Sequence, residues 1–316
     1  MRKLLVSATA GLTALTGVVP APALAVGPRP DTYVIARTPG VLPEGIAVTR
    51  DGTLYVTSFG TGAVYRGHVR DRELRQFLPP GADGRTRAAG LQVDRRGRIF
   101  VAGWDTGTLF VYAPDGELLA RRTGPGAALN DLALTADAVY VTDSATGALW
   151  RAALDGPNVG DLVPWLTAAD FPVAPGFLNG IVVTDGGRIA LVADQGNGQP
   201  GTERLWRVDL VRRTATTVEV VDGQLGADGL LLEGDRLYGV VNFPDGAGGW
   251  DFAVNLAMLD ADRRTARVVR QSRPAGVAQS PTTIVRDAGR LLWVNSQLNA
   301  PAPAPPFTVT QVPGLR

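Results

Sequence analysis

The chain alternates short apolar runs with polar turns, and one such unit recurs six times. The units read EGIAVTRDGTLYVTSF from Glu44, AGLQVDRRGRIFVAGW from Ala89, NDLALTADAVYVTDS from Asn130, NGIVVTDGGRIALVADQ from Asn179, DGLLLEGDRLYGVVNF from Asp228 and PTTIVRDAGRLLWVNSQ from Pro281. Each opens on a leading residue, runs through an apolar strand, turns on Gly or Asp, and returns as a second apolar strand, which is the pattern of a β-hairpin. The leading positions stand 41 to 53 residues apart, close to the period of about 40 to 50 that marks propeller blades. A second hairpin follows most of the first ones, as in TGAVYRGHV with ELRQFL, TGTLFVYAPDGELLARR, TGALWRAAL and RLWRVDLVRRTATTVEVV. Four strands per repeat make a blade.

The pattern predicts an all-β, six-bladed β-propeller of four-stranded antiparallel blades over residues 26–316. TYVIAR (32–37) and FTVTQV (307–312) are expected to complete the last blade from the two ends of the chain, removing the exposed sheet edge at the joint. Segments 274–280 and 300–306 read as loops, as do 196–201 and 243–249 inside the fourth and fifth repeats. Two β-sandwich domains would need a linker near mid-chain, and none is visible. The 39 Gly and 23 Pro agree with short strands and frequent turns.

Before the repeats, Arg2 and Lys3 lead an apolar stretch from Leu4 to about Val19 and a small-residue ending at Ala23-Leu24-Ala25. Residues 1–25 thus read as a signal peptide cut after Ala25, predicting a secreted protein. Ser7, Thr9, Thr13, Thr16 and Gly17 interrupt the apolar run, which falls short of the roughly 20 residues of a membrane span. The 31 basic and 30 acidic side chains nearly cancel, with no Lys/Arg run after the leader. Nucleic acid and, after cleavage, membrane are not expected partners. A small molecule is, and the closed ring is compatible with a monomer.

The absence of cysteine removes disulfides, thiolate nucleophiles and zinc-thiolate sites. The single histidine, His68, falls in the third strand of the first repeat, away from the channel mouth, so a Ser-His-Asp triad is not expected. In a propeller the first strand of each blade lines the central channel, and its first residue sits at one mouth. Those leading residues are Glu44, Ala89, Asn130, Asn179, Asp228 and Pro281. Glu44, Asn130, Asn179 and Asp228 form a hard-oxygen set suited to one calcium ion, or another divalent ion, in the channel. Asn-Gly, Asn-Asp and Asp-Gly are also ordinary turn dipeptides, but turn chemistry does not require Glu44.

The second strands end at the same mouth, at Ser58 and Phe59, Gly103 and Trp104, Asp143 and Ser144, Asp194 and Gln195, Asn242 and Phe243, and Asn295 and Ser296. These side chains form a mixed aromatic and polar pocket floor, or else cap loop amides. The two readings stay open for Asp143, Asp194, Asn242 and Asn295.

At these motifs the chain resembles the gluconolactonase/regucalcin-like superfamily of six-bladed propellers, which includes diisopropylfluorophosphatase, paraoxonases and strictosidine synthase-like proteins. The resemblance spans essentially the whole mature chain. It implies a calcium held by Glu44 in LPEGIAV, Asn130 in LNDLAL, Asn179 in LNGIVV and Asp228 in ADGLLL. It further implies hydrolysis of a lactone or related ester, with Asp228 as nucleophile or general base and Asn130 and Asn179 positioning substrate and ion. Phosphotriester hydrolysis at the same ion and a non-catalytic binding propeller are the alternatives. The arginine that binds sugar hydroxyls in gluconolactonase-type members is replaced by Ala128, and the glycine of their Asn-Asp-Gly motif by Leu132. The paraoxonase histidine pair has no counterpart.

Overall fold

A computed structural model describes residues 29–126, 128–184, 186–198, 201–245, 247–274, 276 and 279–315. The leader expected over residues 1–25 lies outside the described residues. Among these, helix is confined to two three-residue 3₁₀ turns, Ala82–Gly84 and Ala168–Asp170. Everything else regular is strand.

Strand β1 (Thr32–Ala36) comes first. Strands β2 (Pro43–Val48), β3 (Thr53–Ser58), β4 (Val64–His68) and β5 (Arg75–Leu78) form a sheet in chain order. A second sheet holds β6 (Leu91–Val93), β7 (Ile99–Ala102), β8 (Thr108–Tyr112) and β9 (Leu118–Thr123). The third holds β10 (Leu129–Leu134), β11 (Ala138–Asp143) and β12 (Ala148–Asp155), with β13 (Asn158–Val159) and β14 (Val163–Leu166) both paired to β12.

Strands β15 (Leu178–Val183), β16 (Ile189–Asp194), β17 (Arg204–Asp209) and β18 (Thr214–Val221) run antiparallel in order. So do β19 (Leu230–Glu233), β20 (Arg236–Pro244), β21 (Trp250–Leu259) and β22 (Thr265–Ser272). A parallel pairing of the outer strands β18 and β22 joins these two sets into one eight-stranded sheet. The last sheet combines β23 (Pro281–Asp287), β24 (Arg290–Asn295) and β25 (Phe307–Gln311) with β1, which pairs antiparallel to β25. The two ends of the chain thus share a sheet.

The apolar faces created by alternation meet between neighbouring sheets. Ile46 and Leu54 pack with Val294 and Val309, Tyr55 and Val64 with Leu91 and Ile99, and Phe100 and Leu109 with Leu132 and Val139. Ala133 and Tyr140 pack with Ile181 and Val192, Leu191 and Leu205 with Leu230 and Leu237, and Tyr238 and Val240 with Ile284 and Trp293. Each face is covered by the next unit, and the succession returns to its start. The inner strands β2, β6, β10, β15, β19 and β23 touch one another in the same order, with β23 against β2. The fold is an all-β propeller.

A ring of hydrogen bonds ties these inner strands together at their leading residues. The hydroxyl of Thr57 donates to the carbonyl of Ala89 at 2.5 Å, Gly90 N donates to Asn130 O at 2.8 Å, and the hydroxyl of Thr142 donates to Asn179 O at 2.8 Å. Gly180 N donates to Asp228 O at 2.9 Å, Gly229 N to Thr282 O at 2.7 Å, and the hydroxyl of Thr282 to Glu44 O at 2.8 Å. Glycine after the leading residue permits this approach. A β-carbon on Gly45 would stand 2.7 Å from Ala89 O, closer than packing tolerates.

Two details depart from the sequence reading. Within the segment 243–249, Phe243 and Pro244 are not loop but extend β20. That strand has nine residues and β21 ten, against six in β3, β11, β16 and β24. The second departure concerns the sixth repeat. Pro281 pairs with Asn295 as Pro43 pairs with Ser58, Leu129 with Asp143 and Leu178 with Asp194, each followed by the same bulge. The residue equivalent to Glu44 is therefore Thr282, not Pro281. Proline, which cannot donate to a ladder, sits at the strand's first position, where no donor is needed.

Candidate functional site: an oxygen-lined axial cavity

The recurring bulge shapes the site. In four units the register slips between the residue before the leading position and the residue two beyond it. Two inner-strand residues then face one on the partner strand, which re-aims side chains at a sheet end. Glu44, Asn130, Asn179 and Asp228, with Thr282, line one cavity of about 690 Å³. All four predicted ligands are at least nine-tenths buried. The structure brings these four residues to one place, and Ala89 is not among the lining side chains.

Their amides are oriented by neighbours. Asn130 donates its Nδ2 to the Oγ of Ser144 at 2.9 Å, and Ser144 donates to Leu178 O at 2.6 Å. The Asn130 carbonyl oxygen is thus the atom left to meet a cation. Asn242 donates its Nδ2 to the Oδ2 of Asp228, and Gln195 holds Asn242 through Nε2 to Oδ1 at 3.3 Å. Gln195 and Asn242 line the cavity themselves.

The electrostatics of the cavity are uncompensated. Burial, reinforced by the nearby carboxylates of Asp228 and Asp131, drives the Glu44 carboxyl well above its ordinary range. Burial raises Asp228 to about 7; the hydrogen bond from Asn242 opposes this, the charge of Asp131 adds to it, and the hydrogen bond from Asn179 opposes it. Asp131 is raised to about 6 by burial, although Leu132 N and Ile181 N donate to it at 2.8 and 3.3 Å. Among the described residues, no Lys or Arg side chain lines the cavity. The Oε2 of Glu44 is buried with no hydrogen-bond partner.

Asp131 is the residue that sequence reasoning missed. It occupies the position after the leading residue, where four other repeats carry Gly45, Gly90, Gly180 and Gly229 and the sixth carries Thr283. A carboxylate where the other repeats have small residues was the available signal. Asp131 faces a second axial cavity of about 310 Å³, lined by residues from all six inner strands.

The open question on the second-strand termini resolves toward capping for three of the four. Asp143 accepts from Ala128 N at 3.1 Å, Ala145 N at 3.0 Å and the Trp150 indole at 3.2 Å. Asp194 repeats the device with Gly176 N at 3.1 Å, Phe177 N at 3.0 Å and the Trp206 indole at 3.0 Å. Asn295 accepts from Gln279 N at 3.1 Å. Asn242 instead faces the cavity. His68 pairs with Thr53 at the opposite end of β3 and meets the carbonyl of Asp51 at 3.0 Å, so it lies away from the site.

A divalent cation suits these residues. The donors are carboxylate and amide oxygens, one carboxylate oxygen is orphaned, and three buried acids lack a counter-charge. No cluster of three or more His, Cys, Asp or Glu side chains placed to hold a metal occurs among the described residues. Two of the four candidate ligands are asparagines, which such a cluster does not include.

The class defined to this point is an all-β propeller with an oxygen-lined cavity on its axis. No protein-family model matches the chain, and no curated protein matches it. Solved structures do. A catalytically inactive histidine-to-alanine variant of virginiamycin B lyase from Staphylococcus aureus, with quinupristin, is 13% identical over 87% of this chain and 82% of its own, with a TM-score of 0.56. A streptogramin B lyase is 10% identical over 89% and 95%, with a TM-score of 0.60. A protein from Lactobacillus plantarum is 18% identical over 80% and 77%, with a TM-score of 0.56. At these identities the likeness is one of fold.

Proposed function

We propose that this chain is a secreted, calcium-dependent hydrolase of a lactone or related ester, of the gluconolactonase-like kind, working as a monomer on a small molecule. The observation that carries the reading is the meeting of Glu44, Asn130, Asn179 and Asp228 in one buried cavity, with the Oε2 of Glu44 unpartnered. The reading counts six blades, which the division of the eight-stranded sheet at its β18–β22 pairing supports.

Glu44, Asn130, Asn179 and Asp228 would hold the ion. Bound there, it supplies Lewis-acid polarisation of the substrate carbonyl. Asp228, steadied by Asn242, takes a proton from water as the water oxygen adds to the carbonyl carbon. The carbon–oxygen bond of the ester then breaks, and the proton passes to the departing oxygen, leaving an acid and an alcohol. Asn130 and Asn179 orient substrate and ion. A histidine-dependent elimination is not favoured, since His68 is remote from the cavity.

The test is turnover of a panel of lactones, aryl esters and one phosphotriester, with and without EDTA, for the native protein and Asp228→Ala. Metal-dependent lactone or ester turnover that Asp228→Ala abolishes supports the reading. Turnover of the phosphotriester alone reassigns the substrate, and no turnover of any member removes the enzymatic claim.

A further inference from the structure

One register position at the cavity end of the second strands is filled asymmetrically around the ring. It holds Phe59, Trp104, Ser144, Gln195, Asn242 and Ser296 in successive units. The amides stand on the Asp228 side, while the rings of Phe59 and Trp104 meet edge to face at 5.1 Å. Phe177, from the loop before β15, brings its ring within 6.2 Å of Trp104. Phe59, Trp104 and Phe177 are only half-buried and line the cavity, as Phe243 and Trp250 do from the long β20–β21 hairpin. Large rings left partly open in a cavity offer stacking area at little entropic cost.

Trp104 also carries backbone strain. Its φ is 46°, in the left-handed region that bulky side chains avoid. Two hydrogen bonds with Leu129, Trp104 N to Leu129 O at 3.1 Å and the reverse at 3.2 Å, hold it there beside Asn130. Arg87 lies 4.9 Å over the Phe59 ring, and its guanidinium is paired with Asp105 at 3.4 Å. Arg87 is not among the residues lining the cavity, so no described lining side chain offers a guanidinium or ammonium to a substrate.

From this geometry we infer that the substrate is a neutral ester or lactone bearing an aromatic or flat apolar group, which stacks on the Phe59–Trp104–Phe177 wall. Trp104 is the principal specificity residue, and polyhydroxylated sugar lactones are poor substrates. The assignment of class rests on the hydrolase reading for its ester, but the aromatic wall stands independently of catalysis.

The experiment compares kcat/KM for dihydrocoumarin, δ-valerolactone and gluconolactone in the calcium-loaded native protein, Trp104→Ala, Trp104→Phe and Phe177→Ala. Alongside, coumarin binding is measured by calorimetry as a ligand test that needs no turnover. The expected result is a preference of about 100-fold for dihydrocoumarin over gluconolactone. Trp104→Ala should lose about 10-fold on dihydrocoumarin, through KM, with little change on δ-valerolactone, and Trp104→Phe should restore most of it. Phe177→Ala gives a second reading should Trp104→Ala fail to fold. Coumarin binding that weakens in these variants, without turnover of any substrate, sustains the aromatic site while the hydrolase reading fails. Equal turnover of gluconolactone, equal losses on both lactones, or no coumarin binding overturns the inference.

Discussion

Asn242 donates one amide nitrogen to two acceptors, the Oδ2 of Asp228 and, at 3.0 Å, the carbonyl oxygen of Pro281. The side chain thereby fastens the cavity acid to the neighbouring inner strand. It also works against the burial that raises Asp228 to about 7. Asn242→Leu keeps the volume and removes both bonds. Calcium affinity should fall by about 10-fold, the scale of a hydrogen bond to a charged group. The pH at which half of that affinity is lost should move upward, read by calcium titration across pH 5 to 9.

The buried acids make the metal-free protein sensitive to alkali. A folded-state pKa above the ordinary value means that the folded protein binds more protons than the unfolded one. Stability from these groups is present at low pH and is lost as pH rises through about 6 for Asp131 and about 7 for Asp228. In EDTA, Tm should therefore fall more between pH 5 and pH 8 in the native protein than in Asp228→Asn, which cannot ionise. An equal fall in both proteins counts against the uncompensated charge.

The threonines that join inner strands have a structural cost of their own. The Thr57 hydroxyl accepts from Gly45 N at 2.7 Å and donates to Ala89 O. Thr57→Val preserves shape and leaves that donor and that acceptor buried and unpaired. Stability should drop by about 2 to 6 kcal/mol in urea unfolding, from two such groups at about 1–3 kcal/mol each.

Capping and metal binding can be told apart at Asp143. Asp143→Ala should lower Tm by several degrees through the lost Ala128, Ala145 and Trp150 bonds. Calcium affinity should change less than threefold, because the residue does not line the cavity.

Much of this site was legible in the chain because repetition supplies a register. Glu44, Asn130, Asn179 and Asp228 share one position in four of the six hairpins, and the propeller turns that position into one cavity. Thr282 was hidden because proline at 281 looked like the start of the repeat, and only strand pairing shows the one-residue offset. Asp131 was hidden for a different reason. An Asn-Asp dipeptide reads as a turn until the bulge is seen to bury its second residue at nine-tenths or more. The roles of Asp143 and Asn242 diverge because they stand one register position apart. Asp143 pairs with Leu129 and turns to loop amides, while Asn242 occupies the position that Ser144 holds in the third unit and lines the cavity.

The most direct measurement is a calcium titration of the metal-free protein by calorimetry, run beside Glu44→Gln. One ion per chain, bound by the native protein and lost in the variant, is the predicted outcome. A native protein that binds no calcium, or a variant that binds it equally well, would contradict the account.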